Sequence, residues 1–137
     1  MKSKKSREDF VKAVYTISQS QNGGVRSWQL ANQLGVSRAI VSQTIKALTQ
    51  EGYLYFDSHK AVCLTPEGYR LACEVDKRYQ ILREALLLLG VTRMTAEEDA
   101  DKLEHLLGEE CMAALWVFVQ KCRDMQAEER NLCNESL

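Results

Sequence analysis

The chain has 137 residues, 45% hydrophobic and 27% charged, with a net charge of −1 at pH 7; this is ordinary globular composition, and it excludes both a disordered chain and a large multidomain enzyme. The near-neutral total hides a split before the single proline: residues 1–64 carry nine Lys/Arg against four Asp/Glu, or +5, and residues 65–137 carry nine against fifteen, or −6. A basic half can approach phosphates, and an acidic half can hold cations or simply stay in solution.

Residues 6–19 are predicted as an amphipathic helix, with Phe10, Val11, Val14, Tyr15 and Ile17 at three- and four-residue spacing and Ser6 available as a cap. Gln21-Asn22-Gly23-Gly24 breaks it. Ser27 is expected to cap a short helix carrying Leu30, Ala31 and Leu34, which ends at Gly35 because glycine takes the left-handed backbone cheaply. Ser37 opens the next helix, with Ile40, Val41, Ile45 and Leu48 expected inside, and Gly52 closes it. Two short extended runs, Tyr53-Leu54-Tyr55-Phe56 and Ala61-Val62-Cys63-Leu64, flank Asp57-Ser58-His59-Lys60 and suit a β-hairpin with a polar tip. Thr65 then caps a long helix with Pro66 at its first position, running to Gly90. After a connector at 91–94, Thr95-Ala96-Glu97-Glu98 has the form of a capping box opening a helix to about Leu107. A last amphipathic helix, with Met112, Leu115, Trp116, Phe118 and Val119 inside, is expected to end near Arg123, leaving a frayed polar tail.

Helix, turn with glycine, helix, hairpin and long helix is the order of a winged helix-turn-helix, followed here by a helical extension; the fold class is mainly α, with residues 1–70 as DNA-binding domain and 71–137 as helical domain. Reading a major groove requires a rigid rod whose side chains donate and accept toward base edges, with cations near the phosphates. The helix from Ser37 meets that need: Arg38 and Gln43 can make bidentate base contacts, Lys46 can reach phosphate, and Ser42 permits close approach. His59 and Lys60 at the hairpin tip can touch the neighbouring minor groove or backbone. The competing interpretation is an exposed helix that is polar only because it is solvated, in a module that binds protein rather than DNA.

Residues from about Arg7 to Arg123 resemble the DtxR/MntR family of metal-dependent transcriptional repressors. The resemblance is carried by Glu8-Asp9-Phe10 with Tyr15, by Leu30-Ala31-Asn32-Gln33-Leu34-Gly35-Val36-Ser37, by Gly52-Tyr53-Leu54, by Leu64-Thr65-Pro66-Glu67-Gly68, by Leu89-Gly90-Val91, and by Asp101-Lys102-Leu103-Glu104-His105-Leu106. It implies a homodimer, pairing through the helices after the wing, that presents two reading helices to a palindromic operator in double-stranded DNA under the control of a transition metal. The short length, without room for an SH3-like C-terminal domain, and the aspartate at position 9 resemble the manganese branch. Asp9, Asp101, Glu104 and His105 are the ligands this implies; on one helix Asp101, Glu104 and His105 would stand at i, i+3 and i+4, and three oxygens with one nitrogen suit Mn²⁺ or Fe²⁺. The same four residues also suit an acidic, solvated surface with an incidental histidine.

Two departures reduce that metal site. Lys12 stands where manganese-branch members have a glutamate, and Tyr79 where the family has a ligand histidine. A protonated lysine cannot ligate, so the alternative is a metal-independent winged-helix regulator in which Lys12 substitutes for a metal by pairing with Asp9, Asp101 or Glu104. A thiol-responsive regulator is a further alternative, although five cysteines (Cys63, Cys73, Cys111, Cys122 and Cys133) without CxxC spacing suit reduced packing residues. An enzyme is not expected, because no phosphate loop or catalytic pattern surrounds His59 or His105. No apolar run reaches the roughly 20 residues that cross a bilayer, and the basic start lacks the apolar core of a signal peptide, so a cytoplasmic protein with no membrane partner is expected.

Overall fold

A computed structural model describes residues 4–136. Its elements are α1 (Lys4–Gln21), α2 (Ser27–Leu34), α3 (Arg38–Gln50), β1 (Leu54–Phe56), β2 (Val62–Leu64), α4 (Pro66–Leu88), α5 (Arg93–Leu103) and α6 (Glu109–Glu135). They form two compact units that divide between Asp76 and Lys77, within α4. Among the described residues no helix is long and apolar enough to cross a membrane.

The first unit is a winged helix. Its core is the inner stripe of α1 (Phe10, Val11, Val14), Leu30 of α2, Val41, Ile45 and Leu48 of α3, Leu54 and Val62 of the wing, and Ala72 of α4. Each large apolar side chain so buried favours folding by about 1.5–3 kcal/mol before conformational entropy is counted. Gly35 closes α2 at φ 63°, as glycine at that position predicts. Ser37 caps α3 by accepting from the Ile40 amide at 3.2 Å.

Three local expectations shift. Helix α1 already begins at Lys4, so Ser6 lies inside it, and α2 has Arg26 rather than Ser27 at its cap position. Ile40, expected inside, is 43% exposed, and its place in the stripe is taken by buried Thr44. At 3.6 residues per turn Ile40 lies about 100° from Val41, whereas Thr44 lies about 60° from Val41 and about 40° from Leu48. The Thr44 hydroxyl donates to the Ile40 carbonyl at 2.8 Å, which removes the penalty of burying it.

The wing pairs antiparallel, with Leu54 opposite Leu64, Tyr55 opposite Cys63 and Phe56 opposite Val62. Val25 adds a single antiparallel bridge: its amide and carbonyl both bond Val62, each at 2.8 Å. Thr65 caps α4 through the Gly68 amide at 3.1 Å. Gly68 is required by contact rather than dihedral angle, since a β-carbon there would lie 2.0 Å from the Tyr53 carbonyl oxygen.

The second unit packs α5 and α6 with the C-terminal part of α4 around Ile81, Leu82, Ala100 and Met112, with Tyr79, Leu86, Leu103, Leu107 and Leu115 partly buried against them. Lys77 lies over the Trp116 ring at 5.2 Å, Arg123 pairs with Glu84, and Glu97 is held below the ordinary carboxylate range, first by Arg93 and then by Arg83. Here the helix boundaries depart further from expectation. Helix α4 stops at Leu88, and α5 starts at Arg93 with Thr92 at its cap position, one turn before the expected capping box. Arg93 and Met94 are good helix formers and Thr92 already supplies an extended residue before them, so Thr95 is drawn inside. Helix α5 ends at Leu103, and Glu104–Leu106 form a turn. Helix α6 runs to Glu135 rather than Arg123, because the polar tail is rich in helix formers and holds no glycine or proline. Of the five residues expected inside it, Met112 and Val119 are buried, whereas Trp116 and Phe118 are 40% and 38% exposed.

Candidate nucleic-acid interface and metal ligands

With Val41, Thr44, Ile45 and Leu48 turned into the core, α3 presents Ser37, Arg38, Ser42, Gln43, Lys46 and Thr49 to solvent. A recess of about 270 Å³ beside this face is bordered by Ser27 at the start of α2, by Ser42, Lys46 and Thr49 of α3, and by Phe56 of β1. The reading helix, the start of α2 and the wing strand therefore share one surface. Ser37 already spends one lone pair on its cap bond, and its other hydrogen-bonding capacity stays exposed.

His59 and Lys60 are exposed at the wing tip. The tip is shaped by Asp57, whose Oδ1 accepts from the His59 amide at 2.8 Å and the Ala61 amide at 2.9 Å. The Ala61 amide is the main reason that the Asp57 carboxyl is held below the ordinary carboxylate range; partial burial opposes it, and the His59 amide and the charges of His59 and Arg26 reinforce it. Lys60 sits at φ 60°, in the left-handed region. Arg26 reaches the tip from outside, its Nη1 donating to the His59 carbonyl at 2.7 Å. Sequence reasoning missed Asp57 and Arg26, as well as the exposed aromatic rings of Trp28, Tyr55 and Phe56. Asp57 could have been found, since aspartate two residues before a turn amide is a known turn former; Arg26 lies in a connector and carries no periodic signal.

Because α5 ends at Leu103, the single helical face expected for Asp101, Glu104 and His105 is interrupted. Asp101 is exposed in the last turn of α5, and Glu104 and His105 follow in the turn beyond it. There the His105 Nε2 lies 3.2 Å from the Glu104 Oε1, with side chains 2% and 0% exposed. A carboxylate and an imidazole adjacent and withdrawn from water are donors that suit a divalent transition metal. Asp9 and Lys12 belong to the first unit, both half-buried on α1, and Asp9 borders a recess with Phe10, Val36 and Ile40. Tyr79 is packed against the core of the second unit.

Both halves of the chain match known domains. Residues 3–62 match the iron dependent repressor N-terminal DNA binding domain, and residues 65–128 the iron dependent repressor metal binding and dimerisation domain. The transcriptional regulator MntR of Salmonella typhimurium strain LT2 is 37% identical over 114 residues, covering 83% of this chain and 72% of that protein. An uncharacterized HTH-type transcriptional regulator of Methanocaldococcus jannaschii is 28% identical over 120 residues, covering 87% of this chain and 96% of its own length. Among solved structures, a manganese-dependent transcriptional repressor in complex with manganese superposes with a TM-score of 0.76 at 28% identity, over 83% of this chain and 52% of that one. The chain thus spans about half the length of such solved relatives.

Proposed function

Since this chain belongs to the iron-dependent (DtxR/MntR) family of metal-dependent transcriptional repressors, matched across both its DNA-binding and its metal-binding and dimerisation domains, we propose that it is a cytoplasmic, homodimeric repressor of palindromic operators, responsive to Mn²⁺ or Fe²⁺ and not an enzyme. The observation that carries this reading is the polar, cationic outer face of α3, continuous with the wing along one recess. Arg38 and Gln43 read base edges, Ser37 and Ser42 admit the helix closely, and Lys46, His59 and Lys60 meet phosphates.

Dimerisation is supported by apolar residues that the second unit leaves in water: Phe118, Met125 and Leu132 of α6 are 38%, 62% and 63% exposed. The metal site is assigned to Asp9, Asp101, Glu104 and His105, on the family resemblance and on the buried Glu104–His105 pair. It is a reduced site, as Lys12 and Tyr79 replace two family ligands. Asp9, Asp101, Glu104 and His105 would hold the ion, which would supply positive charge among carboxylates that otherwise repel one another.

A second reading, metal-independent regulation with Lys12 in place of the ion, is favoured by those same two replacements. Thiol control at the wing has less support, because burial and the Asp57 charge push the Cys63 thiol upward and disfavour its thiolate. A binding selection on random duplex DNA, run with chelator and then with Mn²⁺ or Fe²⁺, tests both readings. The metalloregulator enriches a palindrome only with metal, the metal-independent regulator enriches it in both arms, and no enrichment in either arm refutes operator recognition.

A further inference from the structure

The wing is the weakest element of the DNA-binding unit on its own terms, with two strands of three residues joined by a five-residue tip. An isolated hairpin of that size is marginal in water, so its position depends on what holds it from outside. Two supports come from one connector. Val25 pairs with Val62 through two 2.8 Å hydrogen bonds and steadies the start of β2, where the chain leaves the tip. The next residue, Arg26, reaches the tip itself, its Nη1 donating to the His59 carbonyl at 2.7 Å.

Arg26 is itself fixed. Its amide donates to the Gln29 Oε1 at 2.9 Å, and the Gln29 side chain is paired with Gln21 of α1 at 2.6 and 3.3 Å. The tip is thereby tied through α2 to α1, the elements packed with α3 in the same core. Asp57 closes the tip from inside through two amides, and Lys60 is kept at a positive φ that lysine adopts only when its surroundings impose it. The Arg26 bond is exposed, so its contribution to the stability of the fold is small; its consequence is where the tip sits.

We infer that Arg26 is a positioning residue for DNA binding, holding the wing tip by the His59 carbonyl so that Lys60 reaches the DNA backbone beside the groove entered by α3. This rests on the operator-binding reading above. An Arg26 that touched phosphate itself would act independently of Lys60, whereas a positioning Arg26 acts only through it. A double-mutant cycle separates the two.

Duplex affinity is measured by fluorescence anisotropy across a salt series for the parent, Arg26→Met, Lys60→Met and the double variant, with thermal melting as the control for folding. Lys60→Met is expected to weaken binding about fivefold and to lower the salt slope by about one. Arg26→Met is expected to do the same without lowering the melting temperature, and the double variant to be no weaker than either single one. Should Arg26→Met melt early, Arg26→Gln, which keeps a donor too short to span to the tip, takes its place in the cycle. Additive losses, or an Arg26→Met protein that binds like the parent, overturn the inference while leaving operator binding intact. A silent Lys60→Met removes the wing from the interface and overturns the inference together with that part of the functional reading, and a parent without salt-sensitive duplex binding overturns both in full.

Discussion

Helices α3 and α6 both carry apolar residues at helical spacing, and they dispose of them differently. In α3 the stripe of Val41, Ile45 and Leu48 lies in one core with α1, α2, the wing and Ala72 of α4, and, Ile40 apart, the face left in water is polar and cationic. In α6 only Met112 and Val119 are buried, and Phe118, Met125 and Leu132 stay exposed alongside. Helix α3 thus belongs to a unit whose core is complete and whose outer face is free to meet a polyanion. Helix α6 carries more apolar surface than its own unit can cover, which is the condition for pairing with another chain.

The largest effect that would break this contrast is expected in the completed core. Leu48→Ala, at a side chain 0% exposed, should cost about 2–5 kcal/mol of stability, measured by chemical denaturation, whereas Ile40→Ala on the same helix should cost less than about 1 kcal/mol. Equal losses would mean that α3 is not packed as described. Next in size, the double reversal Arg38→Glu with Lys46→Glu should weaken operator binding by about a hundredfold or more, roughly 2.7 kcal/mol, with melting unchanged. A smaller change, about tenfold in self-association by sedimentation, is expected for Phe118→Glu with Met125→Glu, and helical content should be retained; a variant that associates like the parent would place the partner surface elsewhere.

The smallest effect concerns the acid side of the wing. The Asp57 carboxyl is held below its ordinary range in the folded chain, so the unfolded chain binds more protons there as pH falls. Its contribution to stability is therefore complete above the ordinary aspartate range, near pH 4, and is lost as pH drops through the depressed value. Asp57→Asn should lie below the parent in stability at neutral pH, and the gap should close in acid. A constant gap would show that the carboxylate charge plays no part in holding the tip.

Much of the first unit was legible residue by residue. Ser37 caps α3, Gly35 turns the chain at positive φ and Thr65 with Pro66 starts α4, because each of these is a local choice by one residue's backbone or hydroxyl. The candidate metal residues were harder to place. Spacing alone put Asp101, Glu104 and His105 on one helix, but the chain leaves that helix at Leu103, where Leu103 and Leu107 both turn into the core of the second unit. Arg26 gave no signal at all, since its partner, His59, lies 33 residues away in sequence.

Taken alone, the order of periodic segments, caps and breakers determined a winged helix followed by helices, because those signals act over three or four residues and survive any packing. Tertiary structure decided which apolar side chains were covered, where α5 stopped, that Val25 joined the wing, and that Glu104 and His105 met away from water. Those outcomes depend on surfaces brought together from distant parts of the chain, and burial is a property of neighbours that no local pattern contains.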